Sequence, residues 1–195
     1  SMYYYLSTSE EDFKDNRKTI LNLNTRLKDI KLETISYKFD DFKTDNHYSL
    51  VANSIPSALN HIFSIYKPIS RNEYKNELLE IDYSPVKYLE NKYRKIKDLF
   101  GIEKQILLND FRAVNATIVK KKNMDYYKDL SKLARDNYPD TLLSNLYIGR
   151  YYESTGNFRK AIKAYQEAFV YDEIDGITIE ELLDRAEKLK FENDY

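Results

Sequence analysis

The chain has 195 residues, of which 42% are hydrophobic and 32% are charged, and its formal net charge is −1. This is a globular, core-forming composition, and it gives no electrostatic reason to expect nucleic acid or an anionic membrane as a partner. The sequence has no cysteine, which excludes disulfides, thiol nucleophiles and thiolate metal sites and leaves the cellular compartment open.

The first elements in chain order are a strand, a helix and a second strand. The aromatic run Tyr3–Leu6 favours a strand. Glu10, Glu11 and Asp12 then supply first-turn carboxylates for a helix in which apolar residues recur at helical spacing from Phe13 to Ile30. Residues Leu32–Phe39 alternate between apolar and polar side chains, which predicts a half-buried strand.

A polar loop and a second helix are predicted next. Residues Asp40–Asn46, polar apart from Phe42, are expected to form a loop with His47 at its end, and the apolar spacing within Ser49–Tyr66 predicts a helix. The order strand, helix, strand, helix is typical of α/β architecture with a parallel strand pair. Two strands cannot cover the faces and edges of such a sheet by themselves, so we expect self-association through these strands or cover from a missing domain.

The rest of the chain is predicted to be helical. Lys67–Ser70 reads as a boundary, and helices are expected over Arg71–Ile81, over Pro85–Phe100, which is followed by Gly101, and over Glu180–Lys190. The expected fold is therefore of mixed class, with a small α/β segment followed by an all-α domain. We divide the chain into 1–66, a helical linker or docking region at 67–107, and helical repeats with a capping helix at 108–195.

One stretch of the helical part carries a repeat pattern. Its residues resemble the tetratricopeptide repeat in type and spacing: Ile148, Gly149, Tyr152, Gly156, Phe158, Ala161, Ile162, Tyr165, Ala168 and Phe169. In the preceding unit, Asn115 departs from the pattern where a small residue is expected, and Lys122 departs at the turn. The resemblance implies a protein-binding scaffold, although an all-helical bundle with this spacing by chance, or a pure packing role, remains open.

The setting of His47 carries a second resemblance. The segment 45–49 reads Asp-Asn-His-Tyr-Ser, and it follows a strand and precedes a helix. Together with Tyr5–Glu11, with Asn16-Arg17 and Leu27, and with Leu59 and Phe63, it resembles the last part of the esterase D-like and siderophore-esterase branch of the α/β hydrolases. The segment also resembles the close of esterases that carry a helical repeat tail, as found among Bacteroidetes-type bacteria.

The resemblance implies roles for four residues. His47 would be the general base, and Glu10, or one of its neighbours Glu11 and Asp12, would be the carboxylate that orients it. The Gly-x-Ser-x-Gly nucleophile turn and the oxyanion-hole segment are both missing, since no glycine precedes Gly101. We therefore expect the back end of a serine ester hydrolase that is inactive alone, and it would be either a shortened piece or a degenerate gene product.

Other readings remain for these residues and for the whole chain. His47 could be a loop histidine without chemistry, and the three carboxylates could be charges that suit a helix dipole. The whole chain could be a stand-alone tetratricopeptide-type interaction module. We expect no cofactor, because there is no phosphate-binding glycine loop before Gly101, and no metal site, because two histidines without cysteine do not form a zinc pattern.

Overall fold

The computed structural model describes residues 2–29 and 35–193. The chain divides into two compact units, Ser1–Lys67 and Pro68–Tyr195. We call them the sheet unit and the helical unit. Ile30 and residues 32–34, which the sequence placed in the first helix and the second strand, lie outside the described residues. Within the described ranges, every helix is too short or too polar to span a lipid bilayer.

The sheet unit contains a two-stranded parallel sheet and two main helices. Its elements are β1 (Met2–Glu11), α1 (Lys14–Asp29), β2 (Ile35–Asn46) and α2 (Leu50–Ile62), followed by a 3-10 turn at Ser64–Tyr66. The strands pair in register from Met2 opposite Ile35 to Ser9 opposite Phe42. Among the described residues no third strand joins them.

The predicted polar loop at Asp40–Asn46 is wrong, because β2 continues through it to Asn46. The polar side chains are stabilised in the strand by partners on neighbouring elements. Tyr5 donates a hydrogen bond to Asp40 at 2.9 Å, and Arg17 of α1 makes a two-pronged ion pair with Asp41 at 2.6 and 3.0 Å. These contacts join β2 to β1 and α1, and they depend on neighbours distant in sequence.

The helical unit consists of seven helices in the described residues. Its elements, in order, are α3 (Arg71–Glu73, continued by a π-helical turn at Tyr74–Leu78), α4 (Pro85–Phe100), α5 (Leu108–Lys121), α6 (Tyr126–Asn137), α7 (Leu143–Ser154), α8 (Phe158–Glu167), a 3-10 turn at Ala168–Val170, and α9 (Ile179–Glu192). Helices from α6 to α9 pack successively on one another. This unit includes residues 68–107, which the sequence had set apart as a linker.

The expected mixed fold class is wrong, because the chain is mostly helical. The described residues hold nine α-helices and only the two strands of the small sheet. Helices make up the helical unit and also two of the four main elements of the sheet unit. A sheet of only two strands is too small to make the fold a mixed α/β one.

The helical unit has a dense apolar core. Fully buried side chains from most of its helices meet there, among them Leu78, Leu89, Ile96, Phe111, Ile118, Leu130, Leu142, Leu182 and Tyr165. Gly149 of α7 lies against the ring of Tyr165 in α8, where an added Cβ would come within 2.6 Å of Tyr165 Cδ1. The small residue therefore permits this close helix crossing.

Candidate acid–histidine site

The candidate site lies where both parallel strands end. The last backbone pair of the sheet is Glu11 of β1 and Asn46 of β2. Asp12 and His47 follow these residues directly, so the strand ends bring them to the same edge of the sheet. In parallel sheets the carboxyl ends of adjacent strands share one edge, which is where α/β proteins place ligand-binding groups.

An irregularity in β2 makes this meeting possible. From Ser9 to Glu11 the pairing advances two residues along β1, while from Phe42 to Asn46 it advances four along β2. Extra residues of this kind bend a strand and redirect its side chains. Without the two extra residues, Thr44 would lie opposite Glu11, and His47 would stand three residues further along the chain and not directly after the paired residue.

His47 and Asp12 form a hydrogen-bonded pair. The distance from His47 Nδ1 to Asp12 Oδ1 is 2.8 Å. The Asp12 side chain is 2% exposed, and the His47 side chain is 41% exposed. Of the two neutral tautomers of the imidazole, a carboxylate in this position selects the one with its proton on Nδ1, which leaves the Nε2 lone pair able to accept a proton.

Several donors hold Asp12 in its charged form. Thr8, which is fully buried, donates its hydroxyl to Asp12 Oδ2 at 2.9 Å, and the Phe13 amide donates to Oδ1 at 2.8 Å. Burial alone would raise the pKa of Asp12, but the hydrogen bonds from His47, Thr8 and Phe13 together lower it below its usual value of 3.8. The carboxylate therefore stays ionised at neutral pH.

The imidazole ring is bordered by two aromatic side chains. Phe13 stacks on His47 with ring centres 4.5 Å apart, and Tyr48 meets it edge-on at 5.5 Å. Both are exposed. Among the described residues no protein atom forms a hydrogen bond with Nε2 of His47. The accessible nitrogen thus lies beside an apolar surface that could contact a substrate.

The turn that carries His47 is fixed by its neighbours. Asn46 Oδ1 accepts the amides of Tyr48 and Ser49 at 2.9 and 3.0 Å. Asp45, which is buried, accepts hydrogen bonds from Ser49 Oγ at 3.0 Å and from Asn53 Nδ2 at 2.8 Å. Sequence reasoning gave Thr8, Asp45 and Asn53 no role in holding the site. The turn itself has a local signal, because an Asn followed by Ser three residues later, as in Asn46 and Ser49, is typical of a turn that starts a helix.

The other two candidate carboxylates do not reach His47. Glu10 is exposed and forms an ion pair with Lys43 of β2. Glu11 is the exposed last residue of β1. Both belong to the strand and do not lie in the first turn of a helix as expected, because β1 extends to Glu11 and α1 begins at Lys14. Of the three carboxylates, the structure brings Asp12 alone to the imidazole.

The remaining histidine has a packing environment. His61 of α2 places Nε2 3.1 Å from the carbonyl oxygen of Ser36, and its ring meets Tyr3 edge-on at 5.5 Å. These contacts join α2 to the sheet. Among residues 2–29 and 35–193, no group of three or more His, Asp or Glu side chains has the arrangement of a metal site.

Comparison with known proteins gives a structural relative but no activity. No known family model matches the sequence, and no curated protein does. The chain is similar to the crystal structure of an uncharacterised protein from Capnocytophaga ochracea DSM 7271, with a TM-score of 0.79 and 30% sequence identity. The match covers 97% of this chain and 53% of that one, so the chain spans about half the length of this relative.

Proposed function

We propose that the chain is the C-terminal part of a serine ester hydrolase, in which His47 is the general base and Asp12 the carboxylate that orients it. The observation that carries the proposal is the 2.8 Å contact between His47 Nδ1 and the buried Asp12 carboxylate at the carboxyl ends of two parallel strands. An esterase triad of this kind places acid and histidine after successive strands, in that order along the chain.

The open surface of the sheet unit supports the same proposal. Parallel sheets are normally covered on both faces. Here α2 and the residue that follows it leave a row of half-exposed apolar side chains at four-residue spacing: Val51, Ile55, Leu59 and Phe63. An exposed stripe of this size is typical of a surface that contacts another part of a protein. The preceding strands and helices of a hydrolase domain would cover such a surface.

The chemistry that these residues would perform is acyl transfer. His47 Nε2 would take the proton of a serine hydroxyl as its oxygen bonds to the ester carbonyl carbon, and would then give that proton to the departing alkoxide. Water, deprotonated by the same nitrogen, would release the acid and restore the serine. Asp12 would remain ionised throughout and stabilise the imidazolium.

The test compares residues 1–195 with a longer polypeptide from the same gene that includes a Gly-x-Ser-x-Gly turn. We expect the longer protein to hydrolyse short-chain nitrophenyl esters and the 195-residue chain to hydrolyse none. In the longer protein, Asp12→Asn should lower kcat by about three to four orders of magnitude, and His47→Ala by at least as much. Glu10→Gln, a matched change in an exposed carboxylate, should leave kcat unchanged.

Three results would contradict the proposal. The first is ester turnover by the 195-residue chain itself, and the second is an upstream sequence without the nucleophile turn. The third is a longer enzyme whose kcat is indifferent to Asp12→Asn.

We keep a stand-alone interaction module as the second candidate function. The observation that favours it is the close crossing of α7 and α8, where Gly149 meets the ring of Tyr165, as expected of a tetratricopeptide-type hairpin. In that case the sheet unit would have no catalytic role, and self-association through its strands would cover their unpaired edges. An absent nucleophile turn upstream, together with a saturable protein ligand for the helical unit, would favour this candidate over the hydrolase.

A further inference from the structure

Two cavities in the helical unit share a pair of polar residues. A cavity of about 490 Å³ is lined by residues that include Val119, Met124 and Tyr127. A smaller cavity of about 170 Å³ opens beside it. Asn115 of α5 and Arg150 of α7 line both. Asn115 is one of the two residues that depart from the repeat pattern, so this departure coincides with the groove.

The hydrogen bonds of Asn115 fix which way its amide points. The buried Tyr127 donates its hydroxyl to Asn115 Oδ1 at 2.8 Å, and Arg150 donates Nη1 to the same oxygen at 2.8 Å. Two donors on one oxygen leave the Nδ2 group as the outward-facing part of the amide. In the described part of the chain, Nδ2 has no hydrogen-bond partner.

Arg150 has spare donors and no acidic partner. Its guanidinium carries five N–H groups, of which the structure uses one on Asn115, and it also lies over the Tyr127 ring at 6.0 Å. Within residues 2–29 and 35–193 it forms no ion pair with a carboxylate. The guanidinium and the Asn115 Nδ2 group therefore offer positive charge and N–H donors to the same groove.

The other charges of the groove are paired or lie to one side. Arg185 holds Glu153 through two hydrogen bonds of 2.8 and 2.9 Å. Arg112 is paired with Asp175 at the smaller cavity. Glu181 also lines that smaller cavity and disfavours a second carboxylate there. The uncompensated charge of Arg150 is thus available to a ligand in the larger cavity.

We propose that this groove binds an acidic peptide segment, with one carboxylate held by Arg150 and Asn115. Carboxylates are the groups that a guanidinium and an amide N–H recognise together. Val119, which is 50% exposed, and Met124 line the same cavity. They provide an apolar wall for a hydrophobic residue beside the acidic one. The inference is independent of the ester-hydrolase proposal, because every residue involved belongs to the helical unit.

The test measures binding of a defined peptide to the 195-residue chain. The probe is a fluorescein-labelled, C-terminally amidated peptide of sequence Gly-Leu-Glu-Leu-Gly, and its partner has Gln in place of Glu. By fluorescence anisotropy we expect the Glu peptide to bind saturably, with an affinity that falls as salt is added. The Gln peptide should bind with a dissociation constant at least about tenfold higher. Arg150→Gln should lower the affinity for the Glu peptide by a similar factor. Arg135→Gln, at an exposed arginine of α6 outside both cavities, should leave that affinity unchanged.

A second variant separates binding from folding. Asn115→Asp keeps the acceptor for Tyr127 and adds a carboxylate partner for Arg150, so the thermal midpoint should not fall, while the peptide should no longer bind. Equal binding of the Glu and Gln peptides, equal effects of the two arginine variants, or no saturable binding would overturn the proposal. Displacement by sodium acetate or inorganic phosphate at the concentration of the peptide itself would also overturn it, since the site would then recognise only a small anion.

Discussion

The two units of the chain differ in what they bury. The helical unit encloses aliphatic and aromatic side chains such as Leu89, Phe111 and Tyr165 at no measurable exposure. The helical unit also buries Asp110 and Thr117 fully, but in the described sheet unit the fully buried residues, Thr8 and Ser9, are both polar, and Ile55 of α2 is 54% exposed. A unit of the first kind gains its stability from its own core. The sheet unit, in contrast, holds the hydrogen-bonded Asp12–His47 pair while much of its apolar surface stays exposed to solvent.

The first prediction compares the two units by deleting one apolar side chain in each. Phe111→Ala removes a fully buried ring from the helical unit and should lower the free energy of unfolding by about 3–5 kcal/mol. Ile55→Ala removes a solvated side chain and should change it by less than about 0.5 kcal/mol. Urea unfolding followed by circular dichroism measures both. Equal losses would mean that α2 packs inside a core of its own.

The second prediction concerns the crossing of α7 and α8. Gly149→Ala would place a methyl group against Tyr165, which is fully buried and whose hydroxyl donates to Glu153 at 2.9 Å. Overpacking of this kind should destabilise the protein by about 1–3 kcal/mol, even though alanine favours a helix by about 1 kcal/mol over glycine. Ser154→Ala, at the exposed end of the same helix, is the control. A Gly149→Ala protein as stable as the parent would show that the crossing is looser than described.

The third prediction is a pH dependence confined to the sheet unit. Because hydrogen bonds hold the pKa of Asp12 below its unfolded value of 3.8, the stabilisation it provides is complete above that pH and is lost as the pH falls through the folded pKa. The pKa of Asp41 is lowered in the same direction, chiefly by its hydrogen bond from Arg17. Amide protection factors at β1, obtained by NMR after correction for the intrinsic pH dependence of exchange, should fall as the pH is lowered from 6 to 3.

Asp12→Asn is the matched variant for this pH dependence. It should flatten the acid-side fall in protection at β1 and leave the protection factors in α6 and α7 unaltered. An unchanged profile at β1 would mean that Asp12 makes no charge-dependent contribution to the folded sheet unit.

The fourth prediction concerns the open surface of α2. We expect the exposed apolar stripe to cause self-association of the 195-residue chain. The double variant Ile55→Lys, Leu59→Lys should reduce that self-association and change the free energy of unfolding by less than about 0.5 kcal/mol. Light scattering across a concentration series provides the measurement. A parent chain that is monomeric at every concentration would remove the expectation of self-association.

Local signals predicted several helices well. The helix expected at Pro85–Phe100 is confirmed with those bounds, because Ser84 caps its start and Gly101 ends it at a φ of +67°. The final helix, expected over Glu180–Lys190, extends from Ile179 to Glu192. Caps, prolines and glycines act on adjacent residues, so the sequence alone determines them.

Contacts between residues distant in sequence decided the features that the local sequence pattern did not predict. The polar run at 40–46 became strand because Tyr5 and Arg17 supply partners from elsewhere in the chain. Likewise, three carboxylates were candidates to orient His47, and the irregular register between β1 and β2 decides which one meets it. Neither the register nor the burial of Thr8 beneath Asp12 has a signature in the local pattern of residues.

The most direct test of the account is which ring nitrogen of His47 carries the proton when the imidazole is neutral. We predict that ¹⁵N NMR of the 195-residue chain shows the neutral tautomer with the proton on Nδ1, and that Asp12→Asn abolishes this preference. The His61 ring serves as an internal reference that the substitution should not affect. A His47 ring protonated on Nε2, or one whose tautomer is the same with and without the Asp12 carboxylate, would contradict the acid–histidine site.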